Sequence, residues 1–118
     1  MRIIADIAVT LVALLHFYFL VLEMFLWTRP LGLKTFGLTP DFAAASKTLA
    51  ANQGLYNGFL AAGLVWGLAL GAAGIPVKIF VLGCVVVAGV FGGFTASRKI
   101  FWVQALPGII ALAFVVLS

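Results

Sequence analysis

Seven basic and three acidic residues are the only charges in 118 positions, and nine of these ten fall at or beyond the ends of four long apolar runs. The tenth, Glu23, stands inside the first run, directly before Met24-Phe25-Leu26-Trp27. An average soluble domain is about 25% charged; this chain is 8% charged and 65% hydrophobic. A water-soluble fold of this length has too little interior to hide that much apolar surface. The pattern predicts an all-α integral membrane protein, a four-helix bundle with lipid as the solvent for most of the chain.

The length fits one transmembrane domain over residues 1–118. A hydrocarbon core about 30 Å thick needs about 20 helical residues, which puts the spans at about 4–27, 48–72, 77–95 and 100–117. Thr28-Arg29-Pro30 ends the first run, because proline disfavours helix in the residue before it. That run is longer than a signal-peptide core of about 7–15 residues and no A-x-A-like site follows it, so it reads as an uncleaved helix. Residues 28–39 form a short interfacial connection, greasy at Leu31, Leu33, Phe36 and Leu38 and broken at Gly32 and Gly37. Thr39 can cap the second helix, with Pro40 at its first position and Asp41 near the positive end of its dipole. A helix from Pro40 to Ala72 would be about 50 Å long, so its first turns, with Asp41, Ser46 and Lys47, are expected in water or along the headgroups. Gly74-Ile75-Pro76 makes a turn, Ser97-Arg98-Lys99 marks a polar edge, and the last span is expected to bend near Pro107-Gly108.

The basic residues are too few and scattered for nucleic acid. They serve better as topology markers. Arg29, Lys34, Lys47, Arg98 and Lys99 share one side and Arg2 and Lys78 the other, which puts the former in the cytoplasm and both termini outward. Trp27 fits an interfacial anchor. The lone cysteine, Cys84, allows no intrachain disulfide and reads as a small buried hydrophobe.

Chemistry can reside in few places. His16 and Glu23 are two helical turns apart, on nearly one face and about 10.5 Å apart along the axis. An acid at membrane depth marks a ligand or proton path more often than not, although Glu23 is near enough to Trp27 to reach headgroup water. A single histidine is more often a packed, hydrogen-bonded residue than a ligand. Asn52, Gln53, Tyr56 and Asn57 crowd the second helix with groups that need partners in lipid. Gly54 and Gly58 let another backbone approach there. By depth, Glu23, these amides, Thr95 and Gln104 reach one level. A polar pocket is expected there, with His16 at its floor. The other glycines, Gly63, Gly67, Gly71, Gly89 and Gly93, read as close-packing positions. No phosphate loop, paired-cysteine site, nucleophile elbow or H-E-x-x-H is present, so no cofactor or metal is expected.

At His16-Phe17-Tyr18, Leu22-Glu23-Met24-Phe25, Phe36-Gly37-Leu38 and Asn52-Gln53-Gly54-Leu55-Tyr56-Asn57-Gly58 the chain resembles the small multi-pass bacterial membrane proteins of domain-of-unknown-function family 1304. The resemblance covers nearly the whole chain, and the asparagine-glutamine-glycine run is its most specific part. It implies about four spans in a bacterial inner membrane and no established activity. Members often carry an acid directly before the histidine, where this chain has Leu15; a proton relay centred on His16 lacks that acid.

Three functions fit. In the first, Glu23 binds a proton or cation and Asn52, Gln53, Tyr56 and Asn57 hold a small ligand, in a transporter working as a homodimer. The second is a membrane-embedded enzyme on a lipid-like substrate, with Glu23 and His16 exchanging protons. The third is a structural or accessory subunit in which the amides join helices.

Overall fold

The computed structural model describes residues 2–118, and every regular element among them is helical. In chain order these are α1 (Arg2–Met24), α2 (Pro30–Phe36), α3 (Pro40–Ala69), α4 (Ile75–Thr95) and α5 (Leu106–Leu117). A 3₁₀ turn over Gly71–Gly74 precedes α4, and a π-helical segment over Phe101–Ala105 precedes α5. The expected α3 start is present: the Phe42 N–H donates to Thr39 Oγ1 at 3.2 Å, and Pro40 opens the helix. The connection after α1 is more ordered than an interfacial loop. Pro30 starts α2, and Gly37, at φ 64°, ends it in the left-handed conformation that glycine adopts without strain.

Two helical stretches, Arg2–Met24 and Gly71–Thr95, are long and apolar enough to cross a membrane, and Phe101–Leu117 is a shorter apolar helix. The expected second span, 48–72, falls mostly on Pro40–Ala69 but overruns its end by three residues; that helix is longer than either but is diluted by Asn52, Gln53 and Asn57.

The chain divides into two compact units. The first takes the chain up to Ala13 and again from Leu60 to Ser118; the second is Leu14–Phe59.

The core of the first unit is Ala5, Val9, Val12, Ala13, Leu64, Val81, Leu82, Val85, Ala111 and Val115. Small residues set its packing. A Cβ on Gly89 would lie 2.5 Å from the Ala105 backbone nitrogen, and one on Gly93 would strike the Phe101 ring at 2.5 Å, so α4 and the π segment meet at backbone contact. Gly63 and Gly67 likewise receive Val81 and Lys78. Gly71 has a different role from the packing position expected: its φ of 62° turns the chain out of α3. The irregularity expected at Pro107 falls one turn earlier. Pro107 has no N–H to return to Val103, and the Leu106 N–H reaches Phe101 O, five residues back.

In the second unit α1 and α3 pack through Gly54 and Gly58. A Cβ on Gly54 would lie 2.8 Å from Met24 and 3.0 Å from Glu23, and one on Gly58 would lie 2.5 Å from Leu20. Trp27 is tied to its own unit. Its indole N–H donates to Ser46 Oγ at 3.1 Å, and its ring lies 5.0 Å from that of Phe36. Gly32 is buried against the Leu26 backbone and ties α2 down.

Candidate functional site

Three polar side chains are buried among the described residues: His16, Asn57 and Lys78. Burying such groups is costly without partners, so their neighbours define where chemistry can occur.

Asn57 is held on α3 one turn beyond Gly54. The close approach that Gly54 allows brings its amide to the last turn of α1, where Nδ2 donates to Glu23 Oε1 at 2.5 Å. Glu23 is half-buried. A carboxylate–amide bond of this kind is charge-assisted when the acid is ionised. It leaves the second carboxylate oxygen available to a proton, a cation or a hydrogen-bond donor.

The remaining amides do not join this pair. Asn52 is exposed and donates to the Thr48 carbonyl of its own helix at 2.9 Å. Gln53 is exposed. Tyr56 is 53% exposed, with its ring 6.2 Å from Phe59. The arc therefore splits, with Asn57 turned inward and Asn52, Gln53 and Tyr56 outward. The sequence spacing did not announce this division, since residues 53 and 57 stand one turn apart on nearly the same helix face. His16 is fully buried, with Phe19 edge-on at 5.7 Å. Gln104 is half-buried on the π segment of the first unit and has an interaction partner within the protein.

A second ionic feature lies in the first unit. Lys78 Nζ sits 3.1 Å from Asp6 Oδ1, with the lysine side chain 3% exposed and the aspartate side chain 41% exposed. Lys78 was expected at a span end as a topology marker. The lysine instead turns inward in the first turn of α4, with its stem packed over Gly67. The signal was available: the expected topology puts both opposite charges near one level. Among the described residues no cluster of three or more His, Cys, Asp or Glu gathers to hold a metal ion.

These features define an all-helical protein with two apolar, span-length helices and one carboxylate held by an amide between helices. The chain belongs to the family described as protein of unknown function (DUF1304), whose pattern matches residues 10–116. It is similar to the uncharacterized protein YpaA of Lactococcus lactis subsp. lactis (strain IL1403), at 30% identity over 114 residues, which covers 95% of this chain and 96% of that protein. No solved structure matches it.

Proposed function

We propose that the protein crosses a bacterial inner membrane four times, as a four-helix bundle, and that Glu23, held by Asn57, binds a proton or a small cationic ligand at membrane depth. The Asn57–Glu23 hydrogen bond carries this reading. It fixes the acid on a helix contact while committing only one amide to it.

The surface supports the membrane placement. On α4 the outward residues include Phe80, Val87, Phe91 and Phe94, while Val81, Leu82, Val85, Gly89 and Gly93 face in. On α5 Ile109, Ile110, Val116 and Leu117 are outside, while Gly108, Ala111 and Val115 are inside. Bulky apolar groups outside, with glycines and an alanine among the inward residues, suit lipid as solvent, where close backbone approach drives helix association. In water such a surface would be one large adhesive patch. With Lys78 neutralised by Asp6, Arg2 is the remaining basic residue on the outward side, which strengthens the inward bias of the other five.

Exposed Asn52, Gln53 and Tyr56 need cover at membrane depth. A ligand or a second copy of the chain would supply it, in keeping with a small homodimeric transporter. The test is proton flux into proteoliposomes, followed with an internal pH-sensitive dye under an imposed potential. Wild type should exceed empty vesicles and Glu23→Gln should fall to their level. Equal flux from both proteins would remove the acid's role.

The outward turn of Asn52, Gln53 and Tyr56 also favours a second reading, in which Glu23–Asn57 joins helices and the protein is a structural subunit. An enzyme has no comparable support, because the complete burial of His16 keeps it from a substrate.

A further inference from the structure

The end of α4 and the turn after it form an open cleft of about 660 Å³, lined in part by Phe94, Thr95, Ser97, Arg98, Phe101 and Trp102. Gly93 seats the Phe101 ring, and Phe94 meets that ring edge-on at 5.0 Å. Phe94 is nevertheless 80% exposed and Trp102 68% exposed. One wall of the cleft is thus aromatic and open.

The other wall is cationic. Arg98 lines it, and the next residue, Lys99, is exposed without being part of the lining. The first unit contains one acid, Asp6, and Lys78 already holds it. No ion pair engages Arg98 or Lys99 among the described residues. Ser97 Oγ accepts the Lys99 N–H at 3.3 Å, which leaves its hydroxyl hydrogen for an outside acceptor. The Thr95 hydroxyl is committed to Phe91 O at 2.7 Å. The free donors are therefore a guanidinium, an ammonium and one hydroxyl, a set suited to a phosphoryl group.

We propose that this cleft binds a phosphate-bearing anion, supplied by the membrane as the headgroup of an anionic phospholipid. Arg98, Lys99 and Ser97 hold the phosphate, and Phe94 and Trp102 flank the glycerol and upper acyl chains. Free phosphate has no use for the aromatic wall; a lipid uses both walls at once. Basic pockets beside cytoplasmic helix ends suit such headgroups. The inference rests on the membrane placement proposed above.

The test uses Trp102 as its own reporter. A protein with Trp27→Phe and Trp66→Phe is placed in nanodiscs containing brominated phosphatidylglycerol or brominated phosphatidylcholine, and quenching is compared. Stronger quenching by the anionic lipid is expected. Arg98→Ala should lower that preference about fivefold, the factor given by ~1 kcal/mol for one basic residue near the surface. Equal quenching by the two lipids would overturn the site while leaving the membrane placement intact. Quenching by neither would overturn the placement and the site together. Added inorganic phosphate that abolishes the preference would overturn the lipid as source. Native mass spectrometry of the wild-type chain from mixed micelles reads the same preference without the tryptophan replacements. Loss of retained phosphatidylglycerol on Arg98→Ala supports the site, and unchanged retention contradicts it.

Discussion

Lys78 lies 3.1 Å from Asp6 across 72 residues of chain, with the lysine side chain almost wholly buried and the carboxylate partly in the open. Removing one partner of such a pair strands a buried charge, which is worse than removing both. Asp6→Ala should therefore lower stability by about 2 kcal/mol, below the usual range for fully buried pairs because Asp6 is partly exposed. Adding Lys78→Met should recover most of that loss. Thermal unfolding of the purified protein in detergent measures both, and a double variant weaker than Asp6→Ala alone would contradict the pairing.

Asn57 and Glu23 allow a similar separation of folding from chemistry. Glu23→Gln keeps an oxygen that accepts the Asn57 amide hydrogen, so its stability should stay within about 1 kcal/mol of wild type. Asn57→Ala leaves a half-buried carboxylate without its donor and should cost about 1–3 kcal/mol. If Glu23→Gln unfolds the protein as readily as Asn57→Ala, the acid's charge is needed for the fold, and its proposed freedom to exchange a proton is lost.

Glycines on α4 differ by what faces them. A Cβ at Gly89 would meet the Ala105 backbone 2.5 Å away, whereas one at Gly83 meets nothing within 4 Å. Gly89→Ala must push the π segment away and should cost about 1–3 kcal/mol. Gly83→Ala should be neutral or stabilising by up to about 1 kcal/mol, since alanine is the better helix former. Comparable melting temperatures for the two variants would show that α4 and the π segment are not in close contact.

Local signals carried most of the fold. Thr39-Pro40-Asp41 announces the start of α3, and the spacings of Gly54 with Gly58 and of Gly89 with Gly93 announce close helix contacts, though not their partners. These succeed because caps and small-residue spacings act within a turn or two of chain. The site was less legible. Depth places Glu23, Asn52, Gln53, Tyr56 and Asn57 near one level, but depth does not give facing direction, and only Asn57 turns to Glu23. Lys78 misled for another reason: a four-carbon stem lets its ammonium travel far from its backbone position, so being near a helix end does not mean lying in water.

Topology gives the broadest check. If the chain crosses four times, Thr35 and Ser97 lie on the cytoplasmic side and Ala73, in the turn before α4, on the other. All three positions are exposed or half-exposed, and Cys84→Ala removes the single native thiol. In that background, Thr35→Cys and Ser97→Cys should resist a membrane-impermeant maleimide applied from outside spheroplasts, while Ala73→Cys should react. Permeabilised cells should label all three. The pattern discriminates because α3 is the proposed span whose apolar character the amides weaken. If α3 lies along the surface instead of crossing, Thr35 and Ala73 share a side and react alike, and the four-span arrangement fails with them.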